Sequence, residues 1–290
     1  MEFLILLLTF IVNFIVDAAF WGLILSLGES FFYGAPLGED EFLQKVISYT
    51  LICIIVPAVF SGMDFMQQRF VWAGGGRKAK GEEEAYLRNI LDDICEKAGL
   101  DSSAYSLYVS DAEMFNAWAI GGGHITVTRA LLHNFPPEEV KGILAHEVGH
   151  LENGDTRWGL LRYGIGWFGN VIVAVYNLFI IFTAFIRFIP IIGLIWSVFA
   201  FMITIQYYAL RFFLELPLWL ISQFGSRQNE YEADQFACDI GFGRELLSGL
   251  IRLDYFYRSE KQNPLAALFS DHPDTAKRIT RIEACLAGNK

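Results

Sequence analysis

The chain has 290 residues, 54% of them hydrophobic and 16% aromatic, with a mean hydropathy of +0.37. That is too apolar for an ordinary soluble domain and points to a membrane protein with a polar portion. The formal net charge of −10 disfavours a nucleic-acid partner, because phosphate binding needs a basic face. Four cysteines, Cys53, Cys95, Cys238 and Cys285, are far apart and form no CxxC pair. They argue against a disulfide framework or a cysteine zinc site, and for free thiols in a reducing compartment.

Residues 3–26 form an apolar run long enough to span a bilayer. Glu2 and the length of the run suit a retained anchor, since a cleaved signal wants a basic start and a shorter apolar core. Asp17 inside the run is costly in lipid, so it is expected to face other helices or the headgroup layer; a role towards substrate is the alternative. An acidic stretch with Glu29, Glu39, Asp40 and Glu41 precedes a second apolar run at 47–66, interrupted by Pro57 and Gly62. Arg69, Arg77, Lys78, Lys80 and Arg88 follow, so the positive-inside rule puts the first loop outside and all residues after 68 in the cytoplasm. Residues 74–84, GGGRKAKGEEE, read as a flexible linker with a domain boundary near 80.

From 82 to 98, Tyr86, Ile90, Leu91, Ile94 and Ala98 recur at helical spacing. The period then changes to short strands at 106–110, 116–120 and 124–128, the last two joined as a hairpin across Gly121-Gly122-Gly123. Pro136-Pro137-Glu138-Glu139 opens a helix, with proline in its first turn and acids complementing its dipole. This helix carries His146-Glu147-Val148-Gly149-His150 and meets a stop signal at Asn153-Gly154-Asp155. Val140, Leu144, Val148 and Leu151 fall on one arc and His146, Glu147 and His150 on its neighbour. One side is expected to be buried and the other to face a cleft.

Residues 166–224 are again almost wholly apolar, long enough for two spans and not three. Arg187-Phe188-Ile189-Pro190 is the natural turn between them, and Trp167 and Tyr207 or Tyr208 suit interface anchors. Two crossings return the chain to the side on which the HEVGH helix lies. Beyond them, residues 226–237 as a helix place Glu230 and Asp234 one turn apart, flanked by Ala233 and Ala237. Such a face is either plainly solvated or, because its neighbours are small, able to approach another helix closely; the HEVGH motif favours the second.

HExxH on a helix is a zinc-site signature with a mechanical basis. Residues four apart lie one above the other, so both imidazoles can reach one metal, and Glu147 points about 100° round from the first, beside it. A catalytic zinc has three protein ligands and an open position for water. Glu230 and Glu232 lie about 200° apart on a helix, so one at most faces the metal. Glu230 is chosen because Asp234 shares its face. Asp234 is then expected to accept a ring N–H from a ligating histidine and fix its tautomer, and Glu147 to act as general base towards a zinc-activated water. His124 and His133 lack paired spacing and read as surface or core residues.

Taken together, these segments resemble the membrane-anchored, gluzincin-type HtpX-like zinc metallopeptidases and, more distantly, the CAAX prenyl proteases. The likeness rests on Asn116-Ala117-Trp118-Ala119, on HEVGH continuing into Leu151-Glu152-Asn153-Gly154-Asp155, on Ser226-Arg227 with Glu230, Ala233 and Asp234, and on His272-Pro273 with Arg278-Ile279. The compact Gly-Gly-Gly turn looks more like the soluble or prenyl-protease relatives, whereas four spans favour the HtpX-like arrangement. The resemblance implies Glu230 as third ligand, His272 and Arg278 near the cleft with His272 helping to hold the oxyanion, and Asn116, Ala117, Trp118, Ala119 and Ile120 as an edge strand to which substrate adds. It further implies one Zn2+ per chain, protein or peptide substrates and a role in protein quality control under stress.

The expected fold is mostly α with a small β-sheet: four transmembrane helices plus a zincin-like cytoplasmic catalytic domain built from two chain segments. The expected domains are 1–72 (two spans), 80–165 (first catalytic part), 166–224 (transmembrane hairpin) and 225–290 (second catalytic part), in a multi-pass protein of the inner (plasma) membrane. A CAAX-type processing protease and a catalytically silent scaffold are the alternative functions. Cleavage within the bilayer is disfavoured, because Glu138, Glu139, Lys141, Glu152 and Asp155 make the HEVGH helix too polar for lipid.

Overall fold

The structure, a computed structural model, describes residues 2–28, 38–186, 189, 192–260 and 275–288. It is mostly helical with one small sheet, and the chain divides into two compact units: residues 1–61 with 161–223, and residues 62–160 with 224–290.

In the first unit, α1 (Glu2–Gly28) and α2 (Glu39–Ser61) are long and apolar enough to cross a membrane, as is Asp155–Phe182 within α7 (Asp155–Ile186). The second limb of the expected hairpin lies in α8 (Ile192–Asp239), whose described apolar stretch Ile192–Met202 is shorter than a span. The expected four spans therefore stand at three among the described residues, and Arg187, Phe188 and Pro190 of the expected turn lie outside them. The pattern of these helices is inverted relative to a soluble bundle. On α1 the buried residues are Ile5, Thr9, Asn13 and Asp17, four apart, while Leu4, Ile11 and Ile15 are exposed. Lipid solvates the apolar face, and polar side chains turn towards neighbouring helices. Asp17 is fully buried, with neither carboxylate oxygen hydrogen-bonded among the described residues. Gly164 lets α7 lie against α2, since a methyl there would come within 2.5 Å of Ala58 Cα. Trp167 and Tyr208 are largely exposed; the Tyr207 side chain lies outside the described residues.

Two boundaries differ from the hydropathy reading. Helix α2 starts at Glu39 rather than 47, because Glu39, Asp40 and Glu41 form a first turn that the helix dipole favours. It ends at Ser61, and a separate helix, α3 (Asp64–Ala73), follows. The stretch read as a flexible linker contains a strand, β1 (Gly76–Lys78), paired antiparallel with β2 (Ser106–Ser110). Its composition suits a loop, and a distant partner strand overrides that preference.

The second unit builds a four-stranded sheet of order β1-β2-β4-β3. β3 (Ala117–Ile120) and β4 (His124–Thr128) form the expected hairpin, turned at Gly121 with φ +64°. β4 runs parallel to β2, which leaves β3 as an edge. Helix α4 (Glu82–Ala98) covers one face of the sheet through Leu87, Ile90, Leu91, Ile94 and Cys95, and stops at Gly99 in the left-handed conformation. A short helix that the periodicity does not announce, α5 (Arg129–Asn134), is capped by the Thr128 side chain. Next come α6 (Pro137–Asn153), α9 (Gly243–Glu260) and α10 (Thr275–Gly288).

Helix α6 is the centre of this unit. It was expected to bury one side, yet every residue from Gly142 to Leu151 is buried, because α9 and α8 close on it where glycine allows. A methyl on Gly142 would meet the Leu246 backbone N at 2.2 Å, and one on Gly149 would meet Ala233 Cα at 3.0 Å. At the other end, buried Glu139 is held by Arg252 and by the Ser248 hydroxyl of α9.

Candidate active site

Helix α6 presents His146, Glu147 and His150, all buried. α8 meets it through Ala233 and Phe236 at Gly149, and this close approach brings Glu230 to the two imidazoles. Glu230 Oε2 lies 3.4 Å from His146 Nε2, and Oε1 lies 3.4 Å from His150 Nε2. One ligand atom from each of the three residues falls within 4.8 Å of the others. Glu232 is exposed and bonded to Gln228 on the far side of the helix.

The outer nitrogens of the rings are anchored. His146 Nδ1 is 3.0 Å from Asp234 Oδ1, and His150 Nδ1 is 2.9 Å from Asp155 Oδ2. With Nδ1–H donated to a carboxylate, each Nε2 turns inward, and the two Nε2 atoms stand 3.1 Å apart. Two inward lone pairs at that separation, with a carboxylate beside them, suit a shared cation, either a proton or a metal. The donor set therefore fits a divalent ion that takes nitrogen and oxygen ligands. Burial alone would push the His150 imidazolium down, but Asp155, Glu230 and nearby Glu147 outweigh it and raise it to about 10.

Arg278 of α10 completes the charge balance. Its guanidinium is 1% exposed and grips Asp234 with two nitrogens, at 2.8 and 2.7 Å, and Glu230 Oε2 at 2.7 Å. Burial would raise the Asp234 carboxyl, but hydrogen bonds from His146 and Arg278 prevail and hold it at about 2.

The cleft at this site is lined by Ala117 of the edge strand and Asn116 just before it, Leu131 of α5, Ile143, His146 and Glu147 of α6, Leu246, Leu250 and Leu253 of α9, and Arg278. Of the five residues read as a substrate edge, Asn116 and Ala117 reach the cleft; Trp118, Ala119 and Ile120 continue the same strand without lining it. His272 lies outside the described residues. His124 is buried in the sheet with Nε2 2.9 Å from Asp64 Oδ1, and His133 is exposed on α5; neither belongs to the histidine–glutamate group.

Sequence reasoning missed two contributors. Asp155 was read as part of a helix stop, of the family likeness and of the polar flank of the HEVGH helix, but not as a partner of His150. Gly154 does end α6 with φ +78°, but α7 begins at once, and that sharp restart aims Asp155 back at His150. The apolar wall of Leu246, Leu250 and Leu253 was also missed, although their spacing of four and three is a helical signal that could have been read.

Residues 81–286 match the sequence profile of Peptidase family M48. The chain belongs to this family. It is a peptidase, acting on protein or peptide substrates, and its apolar helices make it a membrane protein. Protease HtpX of Legionella pneumophila is 29% identical over 231 residues, 69% of this chain and 76% of that protein. Protease HtpX of Alcanivorax borkumensis is 28% identical over 233 residues, covering 70% and 72%. The crystal structure of S. mikatae Ste24p superposes with a TM-score of 0.52 at 19% identity, over 84% of this chain. The match spans 60% of the Ste24p chain, and it is a likeness of fold. The HtpX-like resemblance read from the motifs agrees with these findings.

Proposed function

We propose that this M48 peptidase is a zinc-dependent endopeptidase of the inner membrane that cleaves membrane or misfolded proteins in quality control. The observation that carries the reading is the convergence of His146, His150 and Glu230 ligand atoms within 4.8 Å, with Glu147 on the wall of the same cleft. His146, His150 and Glu230 would hold one zinc, leaving a position open for water. When bound, zinc would supply Lewis acidity, which makes a water nucleophilic near neutral pH and polarises a carbonyl.

The chain's own residues do the rest. Glu147 takes the proton of the attacking water and passes it to the leaving amine. Asp234 and Asp155 keep Nδ1–H on His146 and His150, so that Nε2 remains the inward atom. Arg278 balances Glu230 and Asp234, and His272 helps to hold the oxyanion. An extended substrate pairs with the free edge of β3 and sets an apolar side chain against Leu246, Leu250 and Leu253. The catalytic domain is built from 80–165 and 225–290, and the spans of 1–72 and 166–224 anchor it. The basic residues after the second span support a cytoplasmic, multi-pass placement.

Metal analysis joined to a cleavage assay in detergent tests the reading. Wild type should carry about one zinc, as a three-ligand site predicts, and cut an unfolded protein. Glu147→Gln should keep the zinc and lose cleavage. A Glu147→Gln variant that cuts as well as wild type removes the general-base role, and a zinc-free active wild type removes the proposal.

A further inference from the structure

The cysteines Cys238 and Cys285, distant in sequence and assigned no role there, meet in the fold. On α8, Glu230, Asp234 and Cys238 recur every four residues and share one face; on α10, Arg278, Ile282 and Cys285 do the same at intervals of four and three. The two faces meet along their length. Arg278 joins Glu230 and Asp234 at one end, and farther along Gln235 Nε2 donates to Cys285 Sγ at 3.6 Å. There the Cys285 thiol neighbours Cys238 and helps to raise its pKa. The same junction is crowded by the start of α9: a methyl on Gly243 would lie 2.8 Å from Cys238 Sγ and 3.2 Å from Leu286 Cδ2 of α10. Cys238 is 5% exposed, whereas Cys285 is half-buried.

We propose that Cys238 and Cys285 form a site for reversible oxidation, in which a small-molecule disulfide is the reactant and the product is a protein disulfide clasping α10 to α8. Cys285, the more accessible sulfur, attacks the reactant RSSR and forms a mixed disulfide, releasing one RS−. Cys238 then loses its proton and attacks the Cys285 sulfur, releasing the second RS−. The protein gives up two electrons and two protons, and RSSR becomes two RSH. Burial pushes the Cys238 thiol up to about 12, and the neighbouring Cys285 thiol and Asp234 add to the rise. Closure therefore accelerates as pH rises and the Cys238 thiolate fraction grows. The clasp secures the helix that carries Arg278, the guanidinium compensating Glu230 and Asp234. The competing view is that both thiols merely fill space as small apolar groups.

The test uses the full chain in detergent, treated with oxidised glutathione at pH 8 and pH 9, then alkylated and mapped by mass spectrometry without reduction. The expected product is a Cys238–Cys285 linked peptide that forms faster at pH 9 and is reversed by a thiol reductant. Cys238→Ser should stop at a glutathione adduct on Cys285. Oxidation should raise the unfolding midpoint of wild type by several degrees and leave Cys285→Ala unmoved. Cys53 and Cys95 are internal controls. Adducts confined to those two, no linked peptide at either pH, or an equal rise in Cys285→Ala would overturn the proposal. None of these readouts needs peptidase activity, so failure here is distinguishable from failure of the zinc-peptidase reading.

Discussion

Gly149, the fourth residue of the HEVGH motif, gives a test of how the site is assembled. In Gly149→Ala the new methyl would stand 3.0 Å from Ala233 Cα, 3.1 Å from Ala233 O and 3.2 Å from Phe236 Cβ. These are backbone and Cβ atoms that cannot swing aside. Comfortable carbon contacts begin near ~3.5 Å, so α8 must retreat by about half an ångström. Ala233 lies between Glu230 and Asp234, and a metal site tolerates errors of only about 0.2 Å in ligand distance. Alanine in a helix interior gains about 1 kcal/mol over glycine, whereas overpacking costs about 1–3 kcal/mol. The net stability change should be small, but zinc affinity, measured by competition with a chelator, should fall about 10- to 100-fold, or roughly 1.4–2.7 kcal/mol.

Gly142→Ala is the matched control. Its methyl would meet Leu246 N at 2.2 Å and Glu245 C at 2.3 Å, which displaces α9, a helix that carries none of the proposed ligands. It should lose more stability than Gly149→Ala and less of its relative zinc affinity. If Gly149→Ala is more stable than wild type and binds zinc equally well, helix propensity alone governs the position, and the close-approach argument fails.

Other outcomes follow from the same geometry. Glu230→Ala should lose the metal and Glu232→Ala should keep it; loss of zinc only in the second would overturn the choice of ligand. Asp155→Ala frees the His150 ring and should weaken zinc binding about 10- to 100-fold. Arg278→Met leaves Glu230 and Asp234 buried without their cation and should destabilise the metal-free protein by about 3–5 kcal/mol in urea unfolding, with zinc restoring part of the loss. Asp234, held at about 2 against an unfolded value of 3.8, binds its proton more weakly when folded. It therefore contributes about 2 kcal/mol above pH 4. That stability is lost as pH falls from about 4 through 2. Acid unfolding of Asp234→Asn should lack this component, and an unchanged acid limb would show that the pair contributes nothing.

Much of the site was legible because its signals are local. His146, Glu147 and His150 share a helix, so their relative positions follow from 3.6 residues per turn whatever the rest of the chain does. Glu230 and Asp234 were legible for the same reason, as a carboxylate face lined with alanines. Hydropathy marked the apolar helices because lipid as solvent needs an apolar surface along a whole span. The hairpin of β3 and β4 was marked by three glycines between two strand-like runs.

Where elements begin, and what they touch, was decided elsewhere. β1 sits in a linker-like stretch and is a strand only because β2 is there to pair with it. The helix restart after Gly154 brings Asp155 to His150, an outcome of backbone direction that residue type does not encode. The Glu230–Asp234 segment was read as a separate helix after the spans, but it continues α8 without a break. Cys238 and Cys285 could not be paired from spacing, since nothing local links residues on helices so far apart in the chain. Periodicity and composition determined which side chains share a face, because those depend on the backbone repeat alone. Which faces meet was settled by packing, where Gly142, Gly149 and Ala233 allow the backbones to approach closely enough for His146, His150 and Glu230, from two segments, to converge.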